Sequence, residues 1–391
     1  MTINLVVLNG EKYVRHFLSS LAEQTYPHDK IQFNILDNGS VDNTKSIIAT
    51  YNQQLTPVPE QSTVRGTATN NFAKFFAFNF IESSKNLGMW PGQEELLKYT
   101  NGEYVVASAV DIILDKNFIK NTVEIMEKDK KIGALQPKIY RFDQQPTTND
   151  PQLTKTIDTL GFKMFKSRRV VNIGHGEEDN DQFNEQKEIF AVEGAVPVFR
   201  KEALESCRIP QPTTHPAGSV SADRHSEKGR TSSGAGNLQP TTEIVDHGYF
   251  WYGDDLDLAW RMRLFGWKEV FAPNVVAWHD RQTTKTLRKN WLDYFSRVST
   301  RKQIPIKKRR LDWRNTRWTL IKNDYIINIL KDMPWIVSRE FAVLGYAILF
   351  EPKVLKEIPT FFRYLPKMLR KRREIMKRVV VGSKEFRKWI N

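Results

Sequence analysis

The segment YGDDLDLAWRMRLFGWKEVFAPNVVAWHD, Tyr252 to Asp280, places three aspartates within four positions, Asp254, Asp255 and Asp257, and closes on a lone histidine, His279. Carboxylates this crowded can serve acid–base or binding chemistry, or they can simply open a helix. From Asp255 to Phe265 the apolar residues Leu258, Met262 and Phe265 recur at helical spacing, acids lead, Arg261 and Arg263 follow, and Gly266 can end the helix. That order complements the helix dipole, and Asp257 stands one turn before Arg261. Asp254 can cap such a helix. One cap consumes one acid, so the adjacent Asp254 and Asp255 leave a carboxylate without a structural duty.

The elements that must position these residues are legible from periodicity. INLVVLN reads as a buried strand, EKYVRHFLSSLAEQTY as a helix with Tyr13, Phe17 and Leu21 on one face, and IQFNILDNG as a second strand ending in turn residues. VDNTKSIIATY follows as a helix with Asp42 as its cap. KFFAFNFI, GQEELLKYT, GEYVVASAVD and DKNFIKNTVEIMEKD continue as strand, helix, strand and helix. This alternation predicts an α/β fold with a mostly parallel sheet covered on both faces. Ligands in such sheets bind beyond the carboxyl ends of the strands, and Asp37 and Asp111 fall at two such ends.

A chain of 391 residues, 40% hydrophobic, can build one large core with an appendage or two modest domains. Its net charge of +14 is unevenly spread: from Arg281 to Asn391 there are 29 Lys and Arg against 9 Asp and Glu, so the tail carries +20 and the rest −6. Such a split marks a surface that meets a polyanion, either nucleic acid or anionic lipid. The tail mixes its basic clusters, KKRR and RKRR, with apolar stretches such as WIVSREFAVLGYAILF. The uninterrupted apolar run Phe341 to Phe350 is shorter than the roughly 20 residues a bilayer span needs, so an interfacial helix on an anionic membrane is expected, with a core helix as the alternative. The single cysteine, Cys207, and a start without a secretory leader point to a cytosolic site of action. Residues 211–240, rich in Ser, Thr, Gly and Pro, read as a flexible insertion.

Taken in order, SSLAEQTYPHDKIQFNILDNGSVDNT, NLG at Asn86 to Gly88, NGEYVVASAVDIILDKNF, EGAVPVFRKEAL and the aspartate-rich segment resemble the family 2 glycosyltransferases. IDTLGFKMFKSRRVVNIGHGEEDNDQF is similar to the middle segment of the rhamnosyltransferase-like branch, which builds bacterial surface polysaccharides. The resemblance spans about Thr2 to Asp280, with RNTRWTLIKND of the tail also familiar. It implies a Rossmann-like GT-A catalytic domain over residues 1–280, followed over 281–391 by a basic, amphipathic helical region that associates peripherally with a membrane. The implied activity is inverting transfer of a sugar, rhamnose in the nearest branch, from a UDP-, dTDP- or GDP-linked donor to a hydroxyl of a lipid-linked or polysaccharide acceptor at the cytosolic face of the membrane.

The resemblance also assigns residues. Asp255 aligns with the family's general base, because a hydroxyl is a poor nucleophile until deprotonated. Asn9, Asp37, Asn38, Asn86, Gly88 and Asp111 fall at donor-binding positions, with Asp37 on the nucleobase edge or, alternatively, holding the turn in DNGS. Asp111 and His279 match the positions that coordinate Mg2+ or Mn2+ beside the diphosphate. The chain has SAVD where relatives carry two or three acids. Asp179, Gln182, Glu193, Gly194 and Asp254 are candidates for the sugar and acceptor pocket, an ordinary polar loop being the alternative for Asp179 and Gln182. Two other readings remain open: an inactive scaffold of the same fold, motivated by SAVD, and a nucleic-acid-binding protein using the basic tail. An acidic body and the lack of an aromatic stacking platform weigh against nucleic acid.

Overall fold

Strands buried on both faces read as unbroken apolar runs, and β1 (Thr2–Val7) and β2 (Gln32–Asp37) are buried along their whole length in the computed structural model of the chain. The structure describes residues 1–55, 77–144, 151–210, 242–281, 301–302 and 304–391. β3 (Ala77–Glu82) and β4 (Tyr104–Ser108) complete a parallel half-sheet in which β1 pairs with β2 and β4, and β2 with β3. The crossovers run through α1 (Val14–Ala22), α2 (Thr44–Leu55) and α3 (Met89–Leu97). α1 is shorter than the expected segment at both ends: it opens with the N–H groups of Tyr13 and Val14 donating to the Gly10 carbonyl and stops at Ala22, with Glu23 as its C-cap.

The second half of the sheet is mixed. β5 (Ile112–Leu114) leads to α4 (Phe118–Lys128), β6 (Ile132–Gln144) and β7 (Pro151–Thr159), and β8 (Phe162–Met164) pairs with β9 (Val170–Asn172) as a small ribbon. β10 (Lys187–Glu188), β11 (Val198–Arg200), α5 (Lys201–Ser206), the short pair β12 (Ile209–Pro210) and β13 (Thr242–Glu243), α6 (Asp254–Leu264) and β14 (Lys268–His279) follow. The sheet runs β10-β14-β6-β11-β4-β1-β2-β3. Four of the seven pairs along this order are parallel, and β5 on β14 and β7 on β6 add two antiparallel pairs; the α/β sheet expected from the sequence is present, its parallel pairs those of β1, β2, β3 and β4 and of β6 with β14. The insertion expected at 211–240 lies outside the described residues.

The tail forms α7 (Ile306–Asn323), α8 (Ile326–Lys331), α9 (Met333–Phe350), α10 (Ile358–Met376) and α11 (Ser383–Phe386). It folds onto the body, with Ile375, Phe386 and Ile390 buried in the same core as Leu258, Trp260 and Met262. The Phe386 ring stacks on Trp260 with centroids 5.5 Å apart. Opposite charges meet at this seam in fully buried pairs. Lys322 Nζ lies 2.7 Å from Asp246 and 2.9 Å from Asp257, Lys371 pairs with Asp246 and Glu243, and Arg168 bridges Asp324 and Asp332. Buried ions need such partners, so this is where part of the tail's positive charge is neutralised.

Candidate functional site

Because β1, β2 and β4 run in parallel, their carboxyl ends open together, and a cleft of about 1180 Å³ lies there. Asn9 follows β1 with φ 50°, and its Oδ1 accepts from Val41 N at 2.9 Å. Asn38 follows β2 and holds the NLG loop: its Nδ2 donates to Asn86 Oδ1 at 3.1 Å and to the Gly88 carbonyl at 3.2 Å, while Leu87 N donates back at 2.8 Å. Gly88 has φ 98° and packs so closely on the Phe250 carbonyl that a Cβ would lie 2.6 Å from it. Only glycine fits there. All four residues line the cleft.

Asp37 does not. It is fully buried, its carboxylate accepts from Ser40 N at 3.1 and 3.3 Å, and Lys45 stands 3.6 Å away. Its visible work is holding the turn beneath the cleft. Asp179 and Gln182 also lie away from the cleft. Asp179 accepts from Lys138 Nζ at 2.7 Å and from the Tyr140 hydroxyl, and Gln182 bonds within its own loop to Glu178 and Asn180.

On the other side of β4, β14 ends at His279 beside Ile112, which brings His279 Nε2 to 3.4 Å from Asp111 Oδ2. His279 Nδ1 faces Asp158 Oδ2 at 2.9 Å, an arrangement that fixes the ring and aims Nε2 toward Asp111. Burial opposes charge on this ring, but Asp111 and Asp158 outweigh it and push its pKa up to about 10. Asp158 itself is held below the usual carboxylate range, against burial, by His279 and Arg281. Asp111 offers one oxygen, and His279, protonated beside these acids, offers its Nε2 nitrogen only once a cation displaces that proton; among the described residues no cluster of three His, Cys, Asp or Glu side chains is poised to hold a metal. That donor set suits a magnesium- or manganese-type ion that takes its remaining ligands from phosphate and water.

The surplus acid sits at the start of α6. The helix is capped by Gly253, with φ 78°, and Asp254 is its first residue, so the expected cap shifts by one position. A left-handed backbone there costs glycine nothing, which frees both acids from capping through a side chain. Asp254 is buried, with Oδ2 unpartnered, and both burial and the charge of Asp255 raise its pKa. Asp255 faces the cleft against Gly194, where a Cβ would stand 2.9 Å from its Oδ2. Burial, then the nearby Glu193 carboxylate, pushes Asp255 up to about 6. Glu193 is held by Arg281 at 2.6 Å. A carboxyl of raised pKa is protonated below that value and ionised above it. Any rate that needs Asp255 as a base should therefore fall about tenfold per pH unit below about 6 and level off above it, which a pH–rate profile will read.

The tail supplies residues that sequence reasoning missed. The loop before α6 is strained, with φ 65° at Phe250 and 67° at Tyr252. Asn315 of α7 holds it: Nδ2 lies 3.1, 2.8 and 2.7 Å from the carbonyls of Tyr249, Trp251 and Tyr252. Arg314 adds a bond to the Gly248 carbonyl at 3.0 Å. The loop's aromatic rings stack, Trp251 on Tyr252, and Lys308 Nζ sits 3.8 Å from the Trp251 centroid. The available signal was RNTRWTLIKND, which contains Arg314 and Asn315.

Residues 2–207 match the family model described as glycosyl transferase family 2. Similar solved structures include S. aureus TarS 1-349 in complex with UDP, 13% identical with a TM-score of 0.48, covering 97% of this chain and 83% of that one. Another is the mannosyltransferase PcManGT from Pyrobaculum calidifontis in complex with GDP-Man and Mn2+, 15% identical with a TM-score of 0.43, covering 96% of this chain and 84% of that one. No curated protein matches the chain in sequence.

Proposed function

The chain belongs to glycosyl transferase family 2 and is a glycosyltransferase, and we propose that it transfers a sugar from a nucleotide diphosphate donor to a hydroxyl of a lipid-linked saccharide with inversion at the anomeric carbon. The observation that carries this reading is the pairing, in one cleft at the strand ends, of a carboxyl with a pKa near 6, Asp255, with the Asp111–His279 corner. Asp255 takes the proton of the acceptor hydroxyl as that oxygen attacks the anomeric carbon. The bond to the diphosphate breaks on the opposite face, so one displacement inverts the centre. Asp111 and His279 would hold a divalent ion, which when bound supplies the positive charge that the departing diphosphate needs. Asn9, Asn38, Asn86 and Gly88 shape the nucleoside side, with Asp37 supporting them from below. The similarity of the middle segment to the rhamnosyltransferase-like branch makes rhamnose the first sugar to try, as a UDP, dTDP or GDP derivative.

The test is release of nucleoside diphosphate from a panel of such donors with Mg2+ or Mn2+, alongside binding to Asp111→Asn. The variant should bind nucleoside diphosphate roughly tenfold or more weakly with metal present and as the parent does without it. Absence of turnover and of binding with every donor would return the chain to the scaffold reading. Identical metal responses in parent and variant would remove Asp111 from the metal site.

The tail suits a body docked on the cytosolic face of an anionic membrane. α10 turns Phe362 and Leu369 outward among exposed Arg363, Arg370 and Arg373, the mixture an interfacial helix needs. Among the described residues one helix, α9, is long and apolar enough to cross a bilayer, but one of its faces lines the cleft and Arg339 and Glu340 lie within it. Charged side chains are costly at the centre of a bilayer, so a helix that carries Arg339 and Glu340 is better placed at the membrane surface than through it. Flotation with anionic liposomes should fall on exchanging Phe362 and Leu369 for Ser, or Arg370 and Arg373 for Gln, and the salt sensitivity should shrink only in the second pair. Equal flotation of all forms, or retention on DNA instead at matched salt, would sink the membrane role.

A further inference from the structure

α9 is two-faced in an unusual sense. Arg339, Ala342, Val343 and Tyr346 follow one helical stripe and line the cleft. Val337, Phe341, Leu344 and Ile348 follow the opposite stripe and are 39–70% exposed. One helix thus separates the interior of the cleft from an apolar outer face.

The charged end of the inner stripe is part of a group of arginines. Arg317 of α7 also lines the cleft, with its guanidinium 4.1 Å from the Trp313 ring. Glu340 lies between the two arginines, 2.5 Å from Arg317 Nη2 and 2.8 Å from Arg339 Nη1. Arg301 stands close by, 2.8 Å from Glu351 and 3.7 Å from Asp312. A guanidinium has five N–H donors and a carboxylate engages at most two in a fork, so each arginine keeps donors in reserve while its acid fixes its position. Neither the Asp111–His279 corner nor the base Asp255 uses these groups. They come from the tail, on the wall that the strand ends do not build.

We propose that this arginine group is the subsite for the phosphoryl groups of the acceptor, which makes the acceptor a saccharide carried on a lipid diphosphate. The lipid lies along Ala342, Val343 and Tyr346 of α9. The proposal rests on the glycosyltransferase reading and names the acceptor class within it. The chemistry of the wall is consistent: α7 and α9 bring guanidiniums for a diphosphate, and one and two turns beyond Arg339 the same face of α9 offers Ala342, Val343 and Tyr346 to hydrocarbon. Planar, bidentate donors are what phosphate recognition favours, and an apolar strip beside them is a surface on which hydrocarbon can leave water.

The experiment measures binding of farnesyl diphosphate, farnesol and inorganic diphosphate to the full chain by calorimetry. The donor side is first saturated with whichever of UDP, dTDP and GDP binds in the presence of Mn2+. Farnesyl diphosphate should bind at least about tenfold more tightly than either fragment, since it uses both parts of the wall. Arg317→Gln and Arg339→Gln should each weaken it by about tenfold or more, with the nucleoside diphosphate affinity unchanged. Glu340→Gln, which releases both guanidiniums, should tighten it, and this opposite sign decides the matter if an arginine variant fails to fold. Inorganic diphosphate binding as tightly as farnesyl diphosphate would reduce the site to a simple anion site and overturn the lipid assignment. Farnesyl diphosphate binding no better than farnesol, or folded variants that bind as the parent does, would overturn the phosphoryl assignment. A failure of the glycosyltransferase reading would look different, as loss of nucleoside diphosphate binding by the parent itself.

Discussion

Asp255→Asn is expected to lower sugar transfer by about 10²–10⁴ while leaving donor affinity close to that of the parent. The amide keeps the shape of the carboxylate and the bond that Leu256 N donates to Oδ1 at 2.8 Å, so the start of α6 should survive. What it loses is the ability to take a proton. Gly194 leaves no room for a replacement base to swing in from its side, because even a Cβ there would touch Asp255. The neighbouring Asp254 has one oxygen facing no partner, but it is buried and held more strongly toward its neutral form than Asp255. Steady-state rates with donor affinities from calorimetry check this. Near-parental turnover by a folded Asp255→Asn would place the base elsewhere, with Asp254 the next residue to test.

Lys322→Met should destabilise the fold by about 3–5 kcal/mol, at the scale seen when one partner of a buried ion pair is removed. Methionine nearly conserves volume, so the effect isolates the charge. Lys322 is fully buried between Asp246 and Asp257 at 2.7 and 2.9 Å. After the substitution Asp246 keeps Lys371 and Asp257 keeps Arg261 and Asn323, which places the expected loss at the lower end of that range. Denaturant midpoints read the outcome. A loss well under 1 kcal/mol would mean that the seam between tail and body is held by its apolar contacts, Trp260 with Phe386 foremost, and not by these ions. The same seam explains why removing the tail would be a poor test of its role: truncation would leave Asp246 and Asp257 short of their cationic partners inside the protein.

Much of the site was legible because local rules fix it. The strands before Asn9, Asn38 and Asp111 announce themselves as apolar runs ending in turn residues, and a parallel sheet then brings their ends together whatever the loops do. The charge order in α6 predicted both the helix and the Asp257–Arg261 pair, which stands at 3.2 Å. Asp37 was harder. Its position at a strand end is the same whether it faces a ligand or a turn, and only the bonds from Ser40 N show the turn at work. Asp179 and Gln182 read as pocket candidates because a polar loop advertises hydrogen-bonding groups, and sequence cannot say that Lys138 and Tyr140 already engage the first of them.

By itself the sequence determined the α/β alternation, the acids crowded at the start of α6, and the division into an acidic body and a basic tail, since each depends on neighbours a few residues apart or on composition. Tertiary structure alone decided that Asp158, from β7, would stand behind His279, that Asn315 would hold the strained loop carrying Trp251 and Tyr252, and that α7 and α9 would wall the cleft. Those contacts join residues 121, 64 and 63 positions apart. No local periodicity encodes them, because they arise only when the buried charges and apolar faces of the tail find the partners that the body left unpaired.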